Sequence, residues 1–227
     1  MRVALLGATK GMGRALARRL AERGDALFLM GRDPEDLERS ARDLEARGGK
    51  EAGSVRHAVC DLERPEGFAA ALDAAEAALG VLDVVVVTAG LFASQEALEL
   101  DTQLARRDGS AGGTLCVFSS VAGERGRKPV ILYGAAKAGL SRYLEGLDHK
   151  FRARGLKTVC VKPGFVRTSM TEGLNPPPFA GEPDAVAAQV VTAIDRGRPV
   201  VYAPGIWALV MFAIRMLPRF VMRRIGF

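Results

Sequence analysis

Short aliphatic runs alternate along this chain with longer stretches whose apolar residues recur every three or four positions. The runs, at residues 3–6, 26–30, 82–88, 114–119 and 158–161, have the composition of strands buried on both faces of a parallel sheet. The stretches between them are rich in Ala, Arg and Glu and predict helices, residues 14–21 being an example. The pattern predicts one α/β domain, a doubly wound parallel sheet with helices on both faces and right-handed crossovers.

A glycine-rich turn joins the first predicted strand to the first predicted helix. Gly7, Gly11 and Gly13 have the spacing GxxxGxG, and their missing side chains let the backbone approach a pyrophosphate at the helix N-terminus. The second strand of a dinucleotide fold ordinarily ends in an acid that binds the ribose 2′-hydroxyl; here Arg32 follows it, and Lys10 precedes the second glycine. Two cations suit a 2′-phosphate, which predicts NADP(H). The alternative is that both are solvated surface charges.

Tyr133 and Lys137 lie four residues apart in a predicted helix, so they share one face about one turn apart. A neighbouring ammonium lowers the pKa of a phenol from roughly 10 because it favours the phenolate. Ser120, near the end of the preceding strand, can donate a hydrogen bond to the substrate oxygen that the phenol protonates. This is general acid–base chemistry on a carbonyl or carbinol, for which a bound dinucleotide supplies the hydride.

Together these motifs resemble the short-chain dehydrogenase/reductase family over nearly the whole chain. Further matching segments are Cys60-Asp61-Leu62, Thr88-Ala89-Gly90 and Pro163-Gly164-x-Val166-x-Thr168. The resemblance implies that Ser120 polarises the carbonyl, that Tyr133 is the acid/base, and that Lys137 binds the nicotinamide ribose and tunes Tyr133. It implies a cofactor site made of Gly7, Thr9, Lys10, Gly11, Met12, Gly13, Arg32, Asp61, Leu62, Ala89, Gly90, Tyr133, Lys137, Pro163, Gly164, Val166 and Thr168.

Within that set the resemblance places Asp61 by the adenine, Gly90 along the cofactor backbone, and Val166 and Thr168 at the carboxamide. The sequence departs from the family at two places in the nucleotide site. Leu6 stands where a threonine is usual, and Thr88 stands where an asparagine is usual. Neither side chain takes part in hydride transfer, so both departures concern stability and cofactor geometry.

The segment between Gly90 and Ser120 is about twenty residues shorter than the family's crossover, which carries a catalytic asparagine and much of a dimer interface. Asn175 is the only asparagine of the sequence. Two interpretations remain open. Residues 96–107 form a shortened helix, since about a dozen residues suffice for a parallel crossover, or the sequence lacks crossover residues near 106–113. The second is favoured, because loss of a whole helix would uncover one face of the sheet.

The C-terminal segment is basic and apolar. Residues 196–227 contain six Arg and no Asp or Glu, so the formal excess of +6 lies there. The apolar run 206–214 is too short to span a bilayer, which needs about twenty residues. It predicts an amphipathic helix on an anionic membrane surface, with Trp207 at the interface and a break at Pro218. The alternative is packing over the substrate pocket or a sister subunit. Arginines interleaved with aliphatic residues argue against nucleic acid.

A narrower resemblance concerns the reductases that act on decaprenylphosphoryl-2-keto-ribose and similar polyprenylphosphoryl keto-pentoses. It rests on the segments Ser119-Ser120-Val121-Ala122-Gly123-Glu124-Arg125, Tyr133-Gly134-x-x-Lys137-Ala138-Gly139-Leu140, Arg167-Thr168-x-Met170 and Ala203-Pro204…Arg215-x-x-Pro218-Arg219. The resemblance implies an NADP(H)-dependent reduction of a keto sugar on a lipid carrier, and a homo-oligomer. The alternative function is a catalytically weak NADP(H)-binding regulatory or structural protein; the retained Ser120, Tyr133 and Lys137 favour catalysis.

The chain therefore divides into a catalytic NADP(H)-binding domain, residues 1–205, and an Arg-rich extension, residues 206–227. Cys60, Cys116 and Cys160 lie in or beside predicted strands and lack metal-ligand spacing, which predicts buried, reduced thiols. His57 and His149 have no partners at ligand spacing, so we expect no metal site. A first strand at residue 2 leaves no room for a signal peptide. We expect a cytoplasmic protein, peripheral at the inner membrane surface if the extension binds lipid.

Overall fold

The computed structural model describes residues 1–49, 51–88 and 112–225. In this part of the chain the main elements are β1 (Arg2–Leu6), α1 (Gly11–Glu22), β2 (Ala26–Gly31), α2 (Pro34–Gly48), β3 (Arg56–Val59), α3 (Phe68–Leu79), β4 (Val84–Val87), β5 (Thr114–Phe118), α4 (Ile131–Phe151), β6 (Lys157–Pro163), α5 (Pro183–Asp195), β7 (Val200–Ala203), α6 (Ile206–Met216) and α7 (Arg219–Arg224). The strands form one parallel sheet in the order β3-β2-β1-β4-β5-β6-β7. The predicted doubly wound α/β fold is confirmed.

The sheet separates two hydrophobic cores. Along β1, Val3 and Leu5 face one core and Ala4 faces the other, as the two-residue period of a strand requires. Buried side chains of α1, α2 and α5 fill the first core, and those of α3 and α4 fill the second. Apolar residues on both faces of the central strands explain why these strands are continuous aliphatic runs in the sequence.

The predicted strands agree with the observed ones to within about two residues, the usual uncertainty of element boundaries. The cysteines Cys60, Cys116 and Cys160 are buried and free of disulfide bonds, as predicted. The predicted shortened helix at residues 96–107 lies outside the described residues, as do Ala89 and Gly90.

The C-terminal extension forms two helices, α6 and α7, separated at Leu217 and Pro218 as predicted. Trp207 and Met211 on α6 are buried and pack against Val121 in a third, small cluster. The prediction that Trp207 lies at a lipid interface is wrong, because only 9% of its surface is exposed. Its ring packs edge-to-face on Phe179 with centroids 5.1 Å apart. Of the helices in the described ranges, none has the length and hydropathy that crossing a bilayer requires.

Candidate active site

The predicted site residues follow the carboxyl ends of neighbouring strands. β1 lies between β2 and β4, so the chain order reverses between β1 and β4. At such a switch point the connections leave toward opposite faces of the sheet and open a crevice for a ligand. The glycine turn follows β1, Thr88 follows β4, Ser120 follows β5 and the segment 163–168 continues from β6.

The glycine turn has the geometry of a phosphate site. Gly7 and Gly11 have φ values of 93° and 54°, which strongly favour glycine. A Cβ on Gly13 would lie 2.2 Å from the Gly7 carbonyl oxygen and 2.5 Å from Thr88 Oγ1, so a larger residue cannot fit there. The first residue before α1, Lys10, is extended and makes no side-chain cap, and the first turn has no acid. The N-terminal amides of α1 are therefore suited to binding a pyrophosphate.

Thr88 fixes this turn to the adjacent strand. Its hydroxyl lies 2.8 Å from the Gly7 carbonyl oxygen and 3.1 Å from that of Leu6, and its amide donates to the Leu6 carbonyl. One hydroxyl proton can serve only one acceptor at a time, and the shorter contact is to Gly7. The residue that departs from the family's asparagine thus holds the glycine turn in place. Thr9 and Met12, the other predicted residues of this turn, are partly buried, and Met12 packs against the first core.

The two predicted phosphate-binding cations have different surroundings. Lys10 Nζ lies 3.0 Å from a carboxylate oxygen of Asp36, and Arg39 binds the same carboxylate. Hydrogen bonds from Lys10 and Arg39 lower the pKa of Asp36. Arg32 is exposed and has no ion-pair partner within the described ranges. Arg32 is therefore the freer cation, whereas Lys10, with a side chain 72% exposed, is held by a weak surface pair.

Asp61 and Leu62 come directly after β3, as the adenine-side residues should. The Asp61 carboxylate accepts a hydrogen bond of 3.1 Å from the Glu63 amide, which fixes its orientation. Leu62 is partly buried against the second core. Cys60 precedes them, and its amide donates to the Gly31 carbonyl at the end of β2. The structure therefore places Asp61 beside the strand end that precedes Arg32.

Ser120, Tyr133 and Lys137 are brought together by the packing of one turn on one helix. Ser120 caps a 3₁₀ turn, Val121–Gly123, and its Oγ accepts a hydrogen bond of 3.1 Å from the Ala122 amide. Tyr133 and Lys137 lie on α4, with Lys137 Nζ 5.8 Å from the centre of the Tyr133 ring. Lys137 Nζ also donates a 2.8 Å hydrogen bond to the Phe118 carbonyl at the end of β5.

Two glycines allow the 3₁₀ turn to touch α4 directly. A Cβ on Gly123 would lie 2.7 Å from the Ala138 nitrogen and from the Lys137 carbonyl carbon. A Cβ on Gly134 would lie 2.9 Å from the Ala122 carbonyl oxygen. The distance between the serine turn and the helix that carries Tyr133 and Lys137 therefore depends on both glycines.

A second contact between β5 and α4 was not predicted from the sequence. The buried Ser119 hydroxyl lies 3.0 Å from the Lys137 carbonyl and 2.7 Å from the Ser141 hydroxyl. Ser141 Oγ also lies 2.9 Å from the Lys137 carbonyl. These contacts orient the turn of helix that carries Lys137. Burial lowers the pKa of Lys137 from its ordinary value, and Coulombic interaction with Cys160 partly opposes this effect.

The segment after β6 lies over the glycine turn. Pro163 ends β6, and the Gly164 amide donates to the Ala203 carbonyl at the end of β7. The buried Val166 forms a parallel bridge with Gly181. Thr168 approaches the glycine turn, since a Cβ on Gly11 would lie 3.7 Å from its methyl group.

Thr171 stabilises the conformation of that segment. Its hydroxyl lies 2.7 Å from the Val166 carbonyl and 3.0 Å from the Thr168 carbonyl. The Thr168 amide donates to the same hydroxyl at 3.0 Å. Both predicted carboxamide-binding residues are thereby fixed by a third residue that the sequence motif does not contain.

A partly buried ion cluster connects the serine turn, β6 and the C-terminal extension. The Glu124 side chain, 7% exposed, pairs with Lys162 on β6 and lies 3.1 Å from Arg215 on α6. Arg125, the next residue, donates a 2.6 Å hydrogen bond to the Leu217 carbonyl. The narrower sequence motif contains Glu124 and Arg215, but no local signal indicates that they meet.

Comparison with known proteins shows the family and the fold of this chain. The family described as short chain dehydrogenase matches residues 2–178. An uncharacterized oxidoreductase of Mycobacterium tuberculosis is 35% identical, over 98% of this chain and 96% of that protein. The cis-4-hydroxycyclohexanecarboxylate dehydrogenase of Sinomonas cyclohexanicum is 32% identical over 76% of each chain. A crystal structure of an actinorhodin polyketide ketoreductase variant with NADPH has a TM-score of 0.74 at 22% identity, over 88% of this chain and 95% of that one.

The M. tuberculosis relative also bears on chain length. Its alignment has 244 positions, whereas 98% of the 227 residues of this chain is about 222. About 22 positions of the alignment are therefore occupied in the relative but not in this chain.

Proposed function

Because the chain belongs to the short-chain dehydrogenase/reductase family, we propose that it reduces a carbonyl group to a secondary alcohol with NADP(H). The observation that carries the proposal is the placement of Lys137 beside both the Tyr133 ring and the carboxyl end of β5, where its Nζ binds the Phe118 carbonyl two residues before Ser120. A protein that only binds a dinucleotide needs the glycine turn but has no use for the acid.

In this proposal each side chain has one task. Tyr133 donates its phenolic proton to the carbonyl oxygen as negative charge develops there. Ser120 donates a hydrogen bond to the same oxygen and orients it. The Lys137 ammonium lies near the Tyr133 ring and favours the phenolate that remains. The bound nicotinamide supplies the hydride.

The preference for NADP(H) rests on Arg32. An exposed guanidinium directly after β2 can bind a 2′-phosphate bidentately, which a free 2′-hydroxyl cannot exploit. Lys10 adds to it when it leaves Asp36, whose carboxylate then keeps its ion pair with Arg39. Gly31 and Arg32 stand where an acid would accept from the 2′-hydroxyl of NAD(H), and the next acid, Asp33, caps α2 by accepting from the Glu35 and Asp36 amides.

The substrate class that we propose is a keto sugar on a lipid carrier. The resemblance of four segments to the polyprenylphosphoryl keto-pentose reductases supports it, because these segments include both the serine turn and the arginine that pairs with Glu124. The name of the Sinomonas relative describes dehydrogenation of a hydroxyl on a carbon ring, and a keto sugar is likewise a ring ketone. The product would be a secondary alcohol on the sugar ring.

The first experiment replaces Tyr133 with Phe and measures NADPH oxidation against simple ketones, cyclic keto acids and lipid-linked keto sugars. Turnover should fall by about 10²–10⁴, the usual contribution of a general acid, while NADPH affinity measured by fluorescence stays nearly constant. Tyr143→Phe, on the same helix and packed against the second core, is the control. Wild-type protein that binds NADPH but oxidises none of it with any substrate would instead favour a regulatory or structural role.

The second experiment replaces Arg32 with Asp and compares kcat/KM for NADPH and NADH. A charge-assisted hydrogen bond contributes about 1.5–3 kcal/mol, so the NADPH:NADH ratio should fall roughly ten- to a hundredfold or more. The matched control is Arg42→Asp, which reverses an exposed charge on α2 outside the nucleotide site. Equal wild-type efficiency with the two cofactors would contradict the assignment of Arg32.

A further inference from the structure

Exposed apolar side chains concentrate in the segments that border the serine turn and the start of α4. Nine of the thirteen large apolar side chains exposed in the described ranges belong to three segments. These are the start of α4 (residues 131–132), the loop after β6 (residues 174–179) and the helices α6 and α7 (residues 206–220), and we name them together the rim patch. Single exposed apolar residues scattered over a surface are normal, whereas a concentration of them indicates an interaction site.

Helix α6 presents two different apolar faces. Trp207 and Met211 point inward and are buried. Leu209, Phe212 and Met216 point outward and are 67%, 57% and 71% exposed. An amphipathic surface helix normally exposes polar residues on its outer face. In the described structure, nothing covers this outer face.

Contacts hold the three segments of the rim patch together. Phe179 packs on Trp207 of α6. Lys128 Nζ, just before α4, donates a 2.7 Å hydrogen bond to the Arg223 carbonyl of α7. Arg125 reaches the Leu217 carbonyl between the two helices. The rim patch is therefore one connected surface, and it borders the serine turn, because Val121 of that turn packs against Trp207 and Met211 of α6.

The charge of the rim patch identifies its partner. Arg219, Arg223 and Arg224 are exposed, and no ion pair of theirs is found in the described part of the chain. Residues 196–227 contain no acid that could neutralise them. Clustered arginines beside aliphatic and aromatic side chains match a surface that offers phosphates above an apolar layer. A second copy of the chain fits less well, because the extension of that copy offers no acid to these arginines.

We propose that the rim patch docks on an anionic lipid bilayer. The outer face of α6 enters the boundary between headgroups and acyl chains, and the arginines of α7 contact lipid phosphates. Trp207 does not enter the lipid, because it packs against Val121, the residue after Ser120. In this orientation the serine turn, which packs against α6, lies on the side of the protein that faces the membrane. The proposal concerns binding alone, so it stands or fails independently of the reaction proposed above.

The test is co-sedimentation of the full chain with vesicles of equal parts phosphatidylglycerol and phosphatidylcholine. Wild-type protein should bind at low salt and release as salt screens the charges. Leu209→Gln/Phe212→Gln should weaken binding at least tenfold by removing apolar contact. Arg219→Gln/Arg223→Gln should weaken it roughly thirtyfold, about fivefold for each arginine. Pure phosphatidylcholine vesicles should bind weakly.

The controls remove equally exposed residues elsewhere. Val59 and Val81 are 56% and 54% exposed; Val59 lies on β3 at the opposite edge of the sheet, and Val81 precedes β4 at its amino end. Val59→Gln/Val81→Gln and Arg42→Gln/Arg56→Gln should leave vesicle binding unchanged. Thermal unfolding verifies that each variant folds, and two independent variant pairs guard against one that does not.

Three results would overturn the proposal: no binding of wild-type protein to the anionic vesicles at low salt, equal loss in the controls and in the rim variants, or salt-independent binding. Self-association that the rim variants abolish, without vesicle binding, would assign the surface to a second copy instead. Since vesicle binding requires neither NADPH nor turnover, an inactive protein that binds vesicles refutes only the proposed reaction.

Discussion

Alanine at Gly123 should separate the serine turn from the helix that carries the acid. The new Cβ would lie 2.7 Å from the Ala138 nitrogen and from the Lys137 carbonyl carbon, and 3.0 Å from the Lys137 oxygen. All three are backbone atoms of α4 and cannot rotate away. Ordinary contact begins at 3.4 Å, so the turn must retreat by about 0.7 Å.

The distance by which the serine turn retreats determines how far kcat should fall. A misplacement of about 1 Å can cost roughly 10² in rate, because the reacting groups leave their aligned geometry. A shift of somewhat less than this should lower kcat about ten- to a hundredfold, which corresponds to about 1.4–2.7 kcal/mol in the activation barrier. NADPH affinity should change little, because the glycine turn follows β1 and takes no part in the contact between Gly123 and α4.

The assay compares kcat, KM and NADPH affinity of Gly123→Ala with those of Gly139→Ala. Gly139 lies on the same helix, exposed, and a Cβ there meets nothing within 4 Å. The control should keep its rate and gain up to about 1 kcal/mol of stability, as Gly-to-Ala changes in helices do. Gly134→Ala, which makes the clash from the helix side, should reproduce the loss. Undiminished kcat in a folded Gly123→Ala protein would refute the reasoning.

Further predictions concern two buried side chains, those of Glu124 and Cys60. Glu124→Gln leaves Lys162, whose side chain is 13% exposed, without its carboxylate, so stability should fall by about 3 kcal/mol and Tm by roughly 6–12 °C; Glu145→Gln, which breaks an exposed pair, should change Tm little, and equal shifts would contradict the assignment. Burial raises the pKa of Cys60 to about 11, so at pH 8 about one thiol in a thousand is ionised and iodoacetamide should label it only after unfolding. Because the folded pKa lies above the ordinary 9.0, stability should decline as pH rises from about 9 toward 11, and a flat thermal-unfolding profile over that range would contradict this prediction.

The sheet could be predicted because its central strands are buried on both faces, which leaves a strong local signal of continuous aliphatic residues. The edge strands carry a weaker signal. β7, Val200–Ala203, is only four residues long and partly exposed, and β3 contains Arg56 and His57 with mostly exposed side chains. Their pairing with β6 and β2 is a tertiary effect that their own sequence does not specify.

Some features of the candidate site could likewise be predicted from local sequence, whereas others could not. Tyr133 and Lys137 meet through helical periodicity, and the glycine turn follows from backbone conformation, so both are visible locally. The Thr88 hydroxyl reaches a carbonyl 81 residues away and Ser119 reaches a hydroxyl 22 residues away. Such partners are determined by how strands are ordered in the sheet, which local patterns do not contain.

The C-terminal extension shows why a glycine in a cofactor motif can have a second role. The sequence explains Gly164 by its place in the nicotinamide segment, yet a Cβ there would lie 2.0 Å from the indole nitrogen of Trp207. The space that this glycine leaves is filled by the inner face of α6. The extension and the cofactor-binding segment are therefore one packing unit, although periodicity alone could not tell which apolar face of α6 is buried. Substitutions on the outer face of α6 should leave the contact between Trp207 and Gly164 intact. Deletion of the whole helix should instead disturb the cofactor-binding segment at residues 163–168.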